Sequence, residues 1–211
     1  SEMCIRDRYL TDLAWATLPA GADGAPDGPV VIRVPGEAIL AAEREPSLLP
    51  VTGGRVQVGH PQSTVSTAPT SGSDPLAWRI NQTGSRVAIA GLGNAYPLAE
   101  QVAAALTAEH SMKATVIDPR QCTSLDADAL ESLRDGHELV VTLEDGQLEG
   151  GWGEKVTAYY ANHHVSDSSR NPRVLNFGAA KEFTDRVPLG ELNERYGLTV
   201  EQVTEAITRC F

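Results

Sequence analysis

Long apolar runs are missing from this 211-residue chain, and no stretch approaches the roughly 20 apolar residues a membrane-spanning helix needs. The opening residues, SEMCIRDRYL, carry no hydrophobic segment of the length a secretory signal requires. Positive charge is also scarce. Seventeen Lys and Arg stand against 28 Asp and Glu, for a formal net charge of -11. Such a surface repels a phosphate backbone, which argues against a general nucleic-acid binder. A few local arginines can still override that field for a small anion.

Cysteine is sparse too. Cys4, Cys122 and Cys210 are odd in number and far apart, and no CxxC pair occurs. Neither a zinc site nor a disulfide framework is expected, and the setting reads as a reducing cytoplasm. Each cysteine reads as a small apolar filler. No Gly-x-Ser-x-Gly elbow, Walker loop or HExxH motif is present. His163 and His164 lie at a predicted helix end with no spaced third ligand, so no metal site is expected. His60, His110 and His137 read as solvated.

What remains is an ordinary soluble composition, with length for one or two domains. SEMCIRDR does not fit the Ala/Gly/Pro-rich text after it. Residues 1–8 therefore read as a non-native artefact, with a frayed native segment as the alternative, and the protein is expected to begin upstream. Residues 9–18 have helical spacing, with Leu10, Leu13, Ala14, Thr17 and Leu18 on one stripe. Residues 30–34, VVIRV, read as a strand buried on both faces. Residues 35–75 read as a linker with a flexible Ser/Thr/Pro-rich insert at 59–75 and an isolated strand at 54–58.

From residue 76 onward strands and helices alternate. LAWRIN, RVAIAGL, KATVIDP, HELVVTLE and RVLNFG read as strands. GNAYPLAEQVAAALTAEH, SLDADALESLRDG, GGWGEKVTAYYANHH and PLGELNERYG read as helices, the second capped by Ser124 or Asp126. Thr199 and Gln202 form a capping box for a final helix whose inner face carries Val203, Ala206 and Ile207. This rhythm predicts an α/β fold with a mostly parallel sheet of about five strands, right-handed crossovers and flanking helices. Ligands and partners of such sheets meet the carboxyl ends of the strands. Gly91–Gly93, Asp118–Arg120, Glu144–Gly151 and Asn176–Gly178 fall at that edge.

Three features invite a chemical reading. Gly91-x-Gly93 suggests a dinucleotide loop, but Tyr96 occupies the place of the third glycine. The alternative is a tight βα turn. Glu144 and Asp145 are adjacent at a strand end and so point apart. A single carboxylate bonding a backbone amide or a partner residue is expected rather than an acid/base pair. Arg33, inside a buried-looking strand, must pair internally or meet an anion.

Four segments, in order, carry a family resemblance. They are GPVVIRVPGE, VAIAGLGNAYPLAEQVAAAL, VIDPRQCTSLDADAL with VVTLEDGQLEGGWGEKV, and RVLNFGAAKEF with GELNERYGLTVEQV. Across residues 9–211 they resemble the C-terminal third of the 1-deoxy-D-xylulose-5-phosphate synthases, transketolase-like thiamine diphosphate enzymes. Transketolase and 2-oxoacid dehydrogenase β subunits are the related alternatives. A free-standing nucleotide-binding α/β module and a stand-alone interaction domain are alternatives from other classes.

The resemblance implies a three-layer transketolase C-terminal fold over 76–211. It implies the end of a pyrimidine-binding domain over 9–34. The full enzyme would condense pyruvate with glyceraldehyde 3-phosphate, losing CO2, as a homodimer with thiamine diphosphate and Mg2+ held upstream. This chain would then carry no catalytic residue and bind no cofactor alone. Glu144, Asp145, Gly150, Gly151 and Gly153 would form an interdomain and dimer joint. The family usually places a second, phosphate-holding arginine where this chain has Gly36, followed by Glu37. Arg33, the first arginine, is kept and is the remaining candidate for the substrate phosphate.

Overall fold

The computed structural model describes residues 2–4, 13, 15–19, 21–22, 25–26, 28–33, 77–163 and 171–211. The chain divides into two units, Ser1–Pro75 and Leu76–Phe211. In the first, β1 (Glu2–Cys4) pairs in parallel with β2 (Val31–Arg33). Residues 2–4 of the octamer read as a non-native artefact are a strand. Val31 is 60% exposed, so this run is not buried on both faces as expected. Leu13 and Leu18 of the predicted helical stripe are exposed as well. The expected strand at 54–58, the 59–75 insert, His60, Gly36 and Glu37 lie outside the described residues.

The second unit is built on a five-stranded sheet of order β3-β5-β4-β6-β7. The strands are β3 (Arg79–Gln82), β4 (Arg86–Gly91), β5 (Thr115–Asp118), β6 (His137–Gln147) and β7 (Arg173–Ala179). β4 to β7 run parallel, and β3 is an antiparallel edge on β5 with an irregularity between Ile80 and Gln82. The helices are α1 (Tyr96–His110), α2 (Ala127–Ser132), α3 (Trp152–Asn162), α4 (Leu189–Arg195) and α5 (Val200–Thr208).

Strand alternation sorts the core into two layers. Val87 and Ile89 of β4 meet Ala99, Val102 and Leu106 of α1 and Val203 and Ile207 of α5. Ala88 and Ala90, one residue out of phase, meet Leu130 of α2 and Trp152, Val156 and Tyr160 of α3. The chain leaves β4 towards β5 through α1, then turns back across β4 to β6 through α2. Right-handed crossovers in opposite directions place their helices on opposite faces, which gives the three-layer α/β sandwich that the family resemblance implies.

Local signals explain the ends. Asp126 caps α2, its Oδ1 accepting from the Ala129 amide at 2.9 Å, and Oδ2 accepts from the Trp78 amide at 2.8 Å. Thr199 caps α5 through the Gln202 amide. The reciprocal half of the predicted box differs: the Gln202 side chain bonds the Thr199 hydroxyl and the Glu194 carbonyl. It ties α5 to α4 instead of closing on the Thr199 amide. Among the described residues no helix is long and apolar enough to cross a membrane.

Candidate functional site

The carboxyl edge of the sheet gathers the segments the sequence singled out. The ladder between β6 and β7 shifts register between Leu143 and Gln147, the stretch that holds Glu144. Gly151 precedes α3 and offers no side-chain cap. Glu144 supplies the cap from eight residues away. Its Oε2 accepts from the Trp152 amide at 3.0 Å and its Oε1 from the Gly153 amide at 2.8 Å. The carboxylate is 4% exposed. A helix N-terminus with free amides is a ready anion site. Here the anion is part of the chain, and both of its oxygens are engaged.

The glycines make that approach possible. A Cβ on Gly151 would sit 2.3 Å from the Gln147 carbonyl oxygen and 2.6 Å from Glu144 Oε1. A Cβ on Gly153 would sit 2.3 Å from Thr142 Oγ1. Beneath Gly153 runs a polar thread that the sequence reading did not resolve. The Thr142 hydroxyl donates to Asn176 Oδ1 at 2.7 Å, and the Asn176 amide donates to Thr157 Oγ1 at 2.7 Å. Thr142 and Asn176 are register partners on β6 and β7, and the thread stitches both strands to α3. Its available signal was one polar residue inside each apolar run, VVTLE and RVLNFG.

Asp145 points the other way and is exposed, accepting from the Asn94 side chain at 2.9 Å. Adjacent strand residues face opposite sides, so the two carboxylates do not cooperate. β4 and β6 are neighbours whose exits lead to α1 and α3, which flank opposite faces. A doubly wound sheet would receive a nucleotide in the crevice between them. That crevice is bridged by the Asn94–Asp145 bond and by the Leu92 amide on the Leu143 carbonyl at 2.8 Å. Tyr96 closes the turn. A Cβ on Gly91 would lie 2.6 Å from the Tyr96 Cα. The Tyr96 phenol takes a hydrogen bond from Asn81 at 2.7 Å, and burial pushes its pKa up to about 12. The geometry therefore favours the tight-turn reading of Gly91-x-Gly93.

The remaining candidates are dispersed. Arg120 has a left-handed backbone (φ 66°), its amide donating to Asp118 Oδ1 at 3.0 Å and its guanidinium to the Ala77 carbonyl at 3.3 Å. Arg33 lies in β2, and its side chain is outside the described residues. His163 stacks on Tyr159 with centroids 4.2 Å apart, while His164 is outside the described residues. Contrary to expectation, His137 is half-buried and bonded rather than solvated. Among the described residues no group of three or more His, Cys, Asp or Glu could hold a metal ion.

Comparison with known proteins agrees with this layout. Residues 76–203 match the family described as transketolase, C-terminal domain. The chain belongs to the transketolase C-terminal domain family. It is 35% identical over 181 residues to the 1-deoxy-D-xylulose-5-phosphate synthase of Symbiobacterium thermophilum, covering 85% of this chain and 23% of that relative. It is 31% identical over 131 residues to the enzyme of that name from Francisella tularensis subsp. novicida, covering 62% of this chain and 20% of the relative. The chain thus spans less than a quarter of the length of these curated relatives. Among solved structures, a split-gene transketolase described as an inactive beta4 tetramer superposes with a TM-score of 0.59 at 23% identity, over 87% of this chain and 50% of that one. Transketolase from Leishmania mexicana superposes with a TM-score of 0.52 at 19% identity, over 97% and 24%. At these identities the likeness is one of fold.

Proposed function

We propose that this transketolase C-terminal domain serves a 1-deoxy-D-xylulose-5-phosphate synthase as a docking layer and performs no chemistry itself. The observation that carries the reading is the Glu144 carboxylate seated on the Trp152 and Gly153 amides. The edge where an α/β sheet would hold an anionic ligand is internally satisfied. Glu144 to Gly153 then act as a rigid joint against other parts of a longer polypeptide and its dimer partner. Phe183 and Leu189, which follow β7, are exposed apolar groups that a partner could cover.

The whole enzyme would condense pyruvate with glyceraldehyde 3-phosphate, releasing CO2, for isoprenoid, thiamine and pyridoxal precursors in the cytoplasm. Thiamine diphosphate with Mg2+ would supply the carbanion chemistry. The described residues of the second unit do not fit that cofactor. A diphosphate would compete with Glu144 for the α3 amides, and the described residues offer no cluster for Mg2+. The cofactor and catalytic groups would belong to upstream domains, with 9–34 as the end of the pyrimidine-binding domain, 35–75 as a linker and 1–8 as a non-native artefact. Arg33 remains the candidate for the substrate phosphate.

A chimera tests the reading. Residues 9–211 replace the matching part of the Symbiobacterium thermophilum synthase, and deoxyxylulose phosphate formation is measured beside transketolase activity. Synthase activity from the chimera and none from the chain alone is expected. Transketolase activity instead would assign the chain to that relative, and pyruvate turnover by the isolated chain would overturn the docking role.

A further inference from the structure

The opposite edge of the sheet holds a hydrogen-bonded chain that the docking role does not use. His137 opens β6. Its Nδ1 lies 3.1 Å from the Leu133 carbonyl and its Nε2 lies 2.8 Å from Thr115 Oγ1. The Gly84 amide, in the turn between β3 and β4, donates to the same hydroxyl oxygen at 2.9 Å. A carbonyl can only accept, so Nδ1 carries the proton. In the neutral ring Nε2 is then an acceptor, and the Thr115 hydroxyl must donate to it. The directions run from the Gly84 N–H to Thr115 Oγ1, from its O–H to His137 Nε2, and from Nδ1–H to the Leu133 carbonyl. Every group is satisfied.

We propose that this chain is a pH-sensitive latch, holding the β3–β4 turn on β5 while the imidazole is neutral and releasing it when the imidazole is protonated. A proton on Nε2 turns an acceptor into a donor. Thr115 Oγ1 can accept from both donors, but its own hydrogen loses its acceptor at a residue only 2% exposed. That hydrogen regains an acceptor when the turn over Oγ1 opens and water reaches it. The turn is the weak point because it ends an antiparallel edge strand whose ladder is already irregular. Its other ties are the Ser85 amide on the Lys113 carbonyl at 3.0 Å and the Gln82 side chain on the Ala114 carbonyl at 2.7 Å.

The surrounding charges do not substitute for the latch. Arg86, in register with His137 on β4, is held by Glu138 at 2.7 Å and lies 4.3 Å from the Phe211 ring centroid. Arg134, after α2, is held by Glu131 at 2.6 Å. Asp135 before β6 and Lys113 before β5 are exposed. Burial pushes His137 below its ordinary value of 6.5, with the Leu133 carbonyl opposing.

The test is an NMR titration of the whole chain from about pH 8 to about pH 5, spanning the ordinary histidine range. The Nδ1–H tautomer is expected at the alkaline end. As His137 protonates, exchange protection of the Gly84 amide, corrected for intrinsic chemistry, falls about tenfold or more relative to Ile89 in β4. Thr115→Val leaves Gly84 weakly protected at every pH while His137 still titrates, and Thr115→Ser restores the linkage. An Nε2–H tautomer overturns the proposal, as does Gly84 protection that stays level with Ile89 through the titration. Both readouts come from the unaltered protein, so the outcome stands even if the valine variant does not fold.

Discussion

Replacing Glu144 probes the joint at its centre. Glu144→Ala removes a 4%-exposed carboxylate and strands two amides, at 3.0 Å and 2.8 Å, inside the first turn of α3. Bonds to charged groups contribute about 1.5–3 kcal/mol each, and the favourable helix-end charge adds about 0.3–1 kcal/mol. Non-additivity trims the sum, leaving an expected loss of about 3–5 kcal/mol, similar to breaking a buried ionic contact. Glu144→Gln is informative because it keeps the shape. Its single oxygen can satisfy one amide, while its NH2 faces the other donor, so about 2–4 kcal/mol should still be lost. Urea denaturation of the whole chain measures both. Formate, a detached carboxylate, should stabilise the alanine variant but not the parent, by about 1.4 kcal/mol at ten times its dissociation constant. If both variants lie within about 0.5 kcal/mol of the parent, as surface substitutions do, the carboxylate does not hold the joint.

Glycine substitutions separate space from backbone conformation. Gly151→Ala and Gly153→Ala should each cost about 2–4 kcal/mol by unfolding, because the new Cβ meets oxygens at 2.3 Å. Gly150→Ala, with φ 72° but nothing within 4 Å, should cost about 1–2 kcal/mol. Gly190→Ala, in α4 with open space, should stabilise by about 0.5–1 kcal/mol. His137 gives a sign to the pH dependence. Its folded pKa lies below 6.5, so the unfolded chain binds the proton first, and stability is full above that value and declines as pH falls through it. Chemical denaturation at stepped pH should show a decline in the parent that His137→Asn lessens. In a full-length reconstruction, Gly36→Arg should lower the KM for glyceraldehyde 3-phosphate about tenfold to a hundredfold, from a charge-assisted contact of about 1.5–3 kcal/mol. An unchanged KM would remove position 36 from the phosphate site.

The alternation of apolar runs and helical stripes revealed the parallel sheet and its flanking helices because each element's period matches its burial. VAIA, for example, splits between both cores, and Leu130 and Leu133 face inward as spaced. The antiparallel direction of β3 was not legible, since LAWRIN has the same composition whichever way it runs. The seat of Glu144 was half legible. Three glycines at a helix start announced close approach, but the approaching group depended on a register shift in the β6–β7 ladder that no local pattern encodes. His137 was misread because its partners, Thr115 and Leu133, become neighbours only through sheet order and the end of α2. The Asn176 thread escaped for the same reason, as its register with Thr142 is a tertiary fact.

The central claim is that the α3 amides are already occupied by the chain's own carboxylate. An amide NMR titration of the whole chain with pyrophosphate, thiamine diphosphate plus Mg2+, and NAD+ addresses it directly. The Trp152, Gly153 and Leu92 signals should not move at millimolar ligand. Saturable shifts at Trp152 and Gly153 would show that the edge accepts an external anion and would contradict the account.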